Sequence, residues 1–150
     1  MKTRGFEICK GYEDKATLPK RADNGSCGYD FHIISNDDTY IHPNETVKFE
    51  TGVKAYMPQD EYLAVHVRSS VGIKKNIVLS NVTGIIDSSF YNNPTNEGNI
   101  CIALTNIGDK VQVIEPNARV AQGIFMKYLV ADKDEVVNET RTSGIGSTGI

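Results

Sequence analysis

Glu61-Tyr62-Leu63-Ala64-Val65-His66-Val67 is the stretch whose reading decides the architecture. From Tyr62 to Val67 the side chains alternate in the period-2 sense, which sends successive residues to opposite faces of a strand. Val111-Gln112-Val113-Ile114 repeats the pattern. Outward from this stretch, further short segments have β character: Phe6 to Cys9, Gly28 to Ile34, Tyr40 to Ile41, Thr46 to Tyr56, Ile77 to Leu79, Gly84 to Ile86, Asn99 to Thr105, Lys110 to Ile114 and Arg119 to Leu129. Gly, Pro, Asn and Asp fill the separators, as in Asp23 to Cys27 and Tyr91 to Gly98. No window of about a dozen residues keeps a 3.6-residue period, and Ser69 to Lys75 has room for one short helical turn. Many short strands at this spacing predict an all-β sandwich or barrel.

A chain of 150 residues fits one domain with a core large enough to need neither disulfides nor metal. The net charge of -3 excludes a broad electrostatic footprint for nucleic acid or an anionic membrane, so a phosphate ligand requires local cations. Cys9, Cys27 and Cys101 form no disulfide framework and no zinc spacing, and His32, His42 and His66 form no ligand pattern with one another. A reducing compartment is expected. Without an apolar leader or a long apolar run, the expectation is a soluble, cytosolic protein.

Chemistry concentrates in a few stretches. In Asn81-Val-Thr-Gly-Ile-Ile-Asp-Ser-Ser-Phe90, Asp87 follows two isoleucines and sits where an apolar strand breaks into a turn. It is placed either as a fixed base or as ordinary turn chemistry, in which short polar side chains bond their own backbone. Arg68-Ser69-Ser70 offers a guanidinium for phosphate oxygens beside two hydroxyls and free backbone N–H groups; the alternative is an Arg paired with a surface carboxylate and followed by a Ser cap. Arg119 and Gln122 lie at odd separation, so on a regular strand they face opposite sides. If Gln122 points to a ligand, Arg119 serves the structure through an ion pair. Ser143 to Gly149 is glycine-rich with hydroxyls, suited either to wrapping a polyphosphate or to a disordered terminus.

Five segments in register resemble the motifs of the trimeric deoxyuridine triphosphatases (dUTPases): Cys27-Gly28-Tyr29-Asp30; Arg68-Ser69-Ser70 with Gly72; Asn81 through Gly84-Ile85-Ile86-Asp87 to Phe90; Arg119-Val120-Ala121-Gln122; and Gly144-Ile145-Gly146-Ser147-Thr148-Gly149. The resemblance implies a jelly-roll-like β-barrel over 1–140 and a flexible tail, 141–150, that closes over substrate. It implies hydrolysis of dUTP to dUMP and pyrophosphate, with Mg2+ on the phosphates and water attacking the α-phosphorus. By the same resemblance Asp87 is the water-activating base, and Arg68, Ser69, Ser70 and Gln122 contact phosphate. Asn81 and the backbone of Gly84, Ile85 and Ile86 form a uracil slot, with Ile100 and Cys101 adding backbone contacts on the far arm of the hairpin. Asp30 orients the metal's water shell, and a homotrimer builds each site from three subunits.

Three departures from the family pattern stand out. Phe90 replaces the sugar-stacking Tyr, a role that passes to Tyr91 if the alignment slips by one. Residues 91–97 read as an insertion before Gly98, a loop that is either functional, for instance as a contact for a protein partner, or merely tolerated. In the tail, Ile145 replaces a Phe expected over the uracil, and Arg141, matched to a phosphate clamp, lies one residue closer to the Ile145-Gly146-Ser147 run than expected. Among rival readings, a dCTP deaminase needs a catalytic Glu where this chain has Ala103. A dUTPase-like regulator that binds a protein would keep the fold without turnover.

Overall fold

The computed structural model describes residues 1–138. Twelve strands, one helix and one 3-10 turn make up its elements among those residues. In chain order they are β1 (Gly5–Ile8), β2 (Lys20–Arg21), β3 (Tyr29–His32), β4 (Thr39–Ile41), β5 (Thr46–Glu50), β6 (Val53–Tyr56), β7 (Glu61–Val67), α1 (Ser69–Lys75), β8 (Ile77–Leu79), β9 (Gly84–Asp87), the 3-10 turn Ser88–Phe90, β10 (Cys101–Asn106), β11 (Gln112–Ile114) and β12 (Arg119–Lys127). All ladders are antiparallel. A five-stranded sheet of order β2-β3-β12-β7-β9 faces a three-stranded sheet, β5-β10-β8, and the pairs β1-β6 and β4-β11 complete the wrap. This is the all-β, jelly-roll-like arrangement expected.

Alternation decides what each sheet buries. On β10, Ile102, Leu104 and Asn106 point inward and are buried, while Cys101, Ala103 and Thr105 are half-exposed. Phe31, Leu63 and Val65 of the larger sheet belong to the same buried cluster as Phe49, Ile77, Leu79, Ile102 and Leu104 of the smaller one. Truncating a residue such as Leu104 to Ala costs about 2–5 kcal/mol, the transfer term plus the cavity. Asn106 is buried without penalty because its amide donates to Ile41 O and Lys110 O and accepts from Gly108 N–H. The β1-β6 pair closes over one flank, where the Phe6 ring meets those of Tyr29, Phe31 and Phe125 at 5.2–5.5 Å. Arg4 adds a two-pronged pair to Glu61, Nε to Oε1 at 2.8 Å and Nη2 to Oε2 at 2.7 Å.

Several strand bounds shift by one or two residues from the sequence reading, and three differences bear on the architecture. The apolar run Thr46 to Tyr56 is two strands, not one, because Gly52 takes φ +67 and turns the chain from β10's partner to β1's. Thr51 Oγ1 donates to Ile100 O and Asn99 Oδ1 accepts from Gly52 N–H, which stitches the corner. The two-residue edge β2, fully exposed, carried no apolar signal. Strand β12 ends at Lys127, since Tyr128 and Leu129 leave the β7 ladder. The short helix expected at Ser69 to Lys75 forms with those bounds and stops at Asn76, which takes the left-handed conformation that Asn tolerates (φ 52).

Candidate active site

The outer face of the five-stranded sheet carries most of the chemistry. Register aligns Asp30 (β3), Gln122 (β12) and His66 (β7) in one row. Two residues on, Ile124, Ala64 and Ile85 form a second row, and two residues beyond that Met126, Tyr62 and Asp87 form a third. The opposite faces of these strands bear the buried Leu63 and Val65 and the half-buried Ile86 and Phe125, which pack into the core.

At one end of this face lies an anion-recognising corner. Arg68 follows β7 as the N-cap of α1, held by its N–H to Val120 O at 3.0 Å. Its Nη1 donates to Arg119 O at 3.1 Å, and its Nε stands 3.3 Å from Asp30 Oδ1. Arg119 Nη1 meets the other oxygen, Asp30 Oδ2, at 3.2 Å. One carboxylate, 8% exposed, thus sits between two guanidiniums and orients them. Ser69 and Ser70 are the first helical residues of α1, whose backbone N–H groups have no intrahelical acceptor. Gly28 lies in close approach to Gln122: a Cβ would fall 2.3 Å from its Oε1 and 3.1 Å from its Cβ, so the Gln122 side chain would have to move. The first, second and fourth sequence motifs therefore meet in one chain.

Strand regularity was the wrong premise for Arg119 and Gln122. A bulge between Arg119 and Ala121 adds a residue to β12, so that Arg119 pairs with His32 and Gln122 with Asp30. Those partners are two residues apart, and the extra residue brings Arg119 and Gln122 to the same face. The ion pair expected of Arg119 is present, with Asp30 as its partner.

Asp87 is half-buried at the other end of the same sheet, at the close of the edge strand β9. Its β7 partner is Tyr62, whereas Arg68 lies six residues further along (68 minus 62). At about 3.3 Å per residue, roughly 20 Å of strand separates the backbone of Asp87's row from that of Arg68 within a single chain. Among the described residues the β9 edge away from β7 carries no ladder, which leaves an open strand edge beside Gly84 and Ile85 for a base. Ile85 is 63% exposed there. Ser80 N–H still donates to Ala103 O, one step past the β8–β10 ladder, and the chain then turns, with Val82 N–H on Leu79 O, so Asn81 lies in the turn that leads into β9. Ile100 is not available in the way expected: its N–H donates to Val53 O and its C=O accepts from Thr51.

Phe90 is 9% exposed and joins the core cluster, while the adjacent Tyr91 donates its hydroxyl to Glu7. Tyr91 is therefore committed to the protein, and Phe90, the other aromatic candidate for the sugar position, packs into the core. Among the described residues no cluster of three or more His, Cys, Asp or Glu could hold a metal ion. Arg141, Ile145, Gly146 and Ser147 lie outside the described residues.

The class this chain presents is a jelly-roll-like β-barrel with two guanidiniums gathered around one carboxylate at one end of a sheet and a second carboxylate on the sheet's edge. The dUTPase family model matches residues 14–149. A deoxyuridine 5'-triphosphate nucleotidohydrolase of Lactococcus lactis subsp. lactis (strain IL1403) is 45% identical over 151 aligned positions, covering 99% of each chain. The crystal structure of the Streptococcus mutans dUTPase superposes with a TM-score of 0.77 at 43% identity, covering 85% of this chain and 98% of that one. A mutant dUTPase from phage phi11 of S. aureus, described with coordination of a structural Mg(II) ion, shares the fold with a TM-score of 0.69 at 18% identity, covering 91% and 98%. The chain belongs to the dUTPase family.

Proposed function

We propose that the protein hydrolyses dUTP to dUMP and pyrophosphate. The observation that carries this reading is the Asp30–Arg68–Arg119 corner with Gln122 beside it, together with Asp87 on the edge strand that presents the base-recognising backbone. Family membership and the names of the relatives supply the substrate class. Arg68 takes phosphate oxygens with its planar fork, and Ser69, Ser70 and Gln122 add donors. Asp87 accepts the proton of the water that attacks the α-phosphorus. The Gly84–Asp87 backbone and Asn81 read the uracil edge, and a site built for that edge rejects cytosine because its amino group would face a donor.

Mg2+ fits as a companion of the triphosphate. Both oxygens of Asp30 face guanidiniums, so this carboxylate would act on the ion's water shell and the phosphates would supply oxygen ligands. When bound, the ion neutralises charge on the phosphates. Residues 141–150 act as the tail that closes the site, with Arg141 on phosphate and Ile145, Gly146 and Ser147 over the nucleotide.

The separation of about 20 Å between Asp87 and Arg68 supports a homotrimer in which one copy's phosphate corner meets another copy's β9. The outer-face Ile124 and Ile85 and the exposed Met126 give that contact apolar surface. Free thiols at Cys9, Cys27 and Cys101 suit the reducing cytosol. A second reading, a regulator that binds a protein at the 91–98 loop, draws on its exposed tip, Pro94 to Asn96.

Turnover separates the two. With dUTP, dCTP, dTTP and UTP in Mg2+, pyrophosphate is expected from dUTP alone, and Asp87→Asn is expected to lower the rate by ~10²–10⁴-fold with an unchanged melting temperature. A folded wild-type protein that releases no pyrophosphate from any of the four refutes the enzyme reading.

A further inference from the structure

The 91–98 loop is built from its own polar groups. Asn93 Nδ2 donates to Phe90 O at 2.8 Å and to Asn96 Oδ1 at 2.7 Å, while Asn93 Oδ1 accepts from the N–H groups of Thr95 and Asn96, each at 3.1 Å. The main chain closes with Asn92 N–H on Glu97 O and Glu97 N–H on Asn93 O. Gly98, at φ +96, allows the closure, since a Cβ there would stand 2.9 Å from Phe90 O.

Glu97 is the odd residue in this loop. Its backbone sits at φ 66, a left-handed conformation that suits Gly or Asn and disfavours Glu. What requires a glutamate is its carboxylate, which meets Lys54 Nζ at 2.5 Å and accepts from Lys10 N–H at 3.1 Å. Lys54, on β6, is 8% exposed; its ammonium also donates to Asn92 Oδ1 and lies 5.1 Å from the Tyr91 ring centroid. Tyr91 in turn donates to Glu7, the β1 partner of Lys54. Burial works against the ammonium, but the hydrogen bond and charge of Glu97 outweigh it and raise its pKa above the usual lysine value, so it remains charged. One cation therefore grips both ends of the loop, at 92 and at 97, and ties them to β1-β6.

We propose that Lys54 is a positioning residue for the reaction: by fixing the 91–98 loop to β1-β6 it holds the Asp87–Phe90 turn, which ends where the loop begins, in one conformation. Phe90 O is the junction, since it accepts from Asn93 inside the loop and terminates the 3-10 turn that starts directly after Asp87. The inference rests on the roles given above to Asp87 and Phe90. It also assigns the insertion a purpose within the chain, that of an internal brace.

The experiment compares wild type with Lys54→Met, Lys54→Arg and Glu97→Gln. Far-ultraviolet circular dichroism checks folding, amide hydrogen exchange follows residues 86–98, and steady-state kinetics use dUTP and UTP. In Lys54→Met, exchange across 88–98 is expected to speed up about tenfold or more and kcat for dUTP to fall about tenfold with a smaller change in KM. Preference for dUTP over UTP is expected to narrow, and Lys54→Arg to recover most of each loss. Glu97→Gln should reproduce the Lys54→Met pattern, and it serves as the test should Lys54→Met fail to fold. Exchange at 88–90 that stays at the wild-type rate in both variants overturns the brace, whatever the turnover. Faster exchange with unchanged kcat and selectivity overturns the positioning role. Absence of wild-type turnover overturns the enzyme reading instead, a different and recognisable failure.

Discussion

Complementation between two inactive variants tests whether the site is shared between copies. Asp87→Asn removes the base and Arg68→Gln removes the phosphate fork, so each homotrimer should be inactive or nearly so. Within one chain the backbones of these residues lie about 20 Å apart along the sheet, the separation on which the proposed two-copy site rests. In the proposed cyclic trimer each site would take the corner from one subunit and β9 from a neighbour. Any mixed trimer, of either composition, then contains one interface in which an Asp87→Asn subunit supplies an intact Arg68 and an Arg68→Gln subunit supplies an intact Asp87. Coexpressing the variants with two different affinity tags and purifying through both should yield about one third of the wild-type kcat per trimer. Measured pyrophosphate release near that fraction, against ~10²-fold or lower for each parent, is the expected result. Release no higher than the parents, from a trimer shown by mass to hold both chains, would refute the shared site, because a site confined to one chain is broken in every subunit of the mixture.

Asp30→Asn should weaken both fold and substrate affinity. It leaves Arg68 and Arg119 facing each other without their common carboxylate; losing one well-shielded charge-assisted contact and one half-exposed pair amounts to about 2–4 kcal/mol, or roughly 4–15 °C in a thermal melt. KM for dUTP should rise more than kcat falls, and a melt and KM equal to wild type would remove Asp30 from the corner. Glu61 governs part of the acid limb of stability. The hydrogen bond from Arg4 lowers its pKa below the ordinary glutamate value of 4.5, so its contribution is present above that pH and is lost as the pH falls through the depressed value. Arg4→Gln should therefore move the midpoint of acid unfolding to higher pH, read by circular dichroism, whereas an unchanged midpoint would show the pair to be idle.

Much of the fold can be read from local pattern. Glu61 to Val67 and Ile77 to Leu79 form strands with the bounds their residues suggest, and Ser69 to Lys75 forms its short helix, because side-chain alternation and turn residues act over a few positions. The corner at Gly52 was less visible, since a single glycine in an apolar run is also compatible with one continuous strand. For the site, residue types and order sufficed to nominate Asp87, Arg68, Ser69 and Gln122, but not to say which of them meet.

Chain order and chemistry by themselves determined an all-β domain of the dUTPase kind, with a carboxylate at a strand end, an arginine at another and a polar loop after Phe90. Tertiary structure alone decided that a bulge turns Arg119 and Gln122 to one face, that Asp30 bridges two guanidiniums, and that Lys54 reaches across 38 and 43 positions to Asn92 and Glu97. It also set Asp87 in register with Tyr62, six residues along the sheet from Arg68. The reason is physical: periodicity and turn chemistry are properties of neighbours along the chain, whereas register, bulges and buried ion pairs arise only when strands distant in sequence are brought to hydrogen-bonding distance.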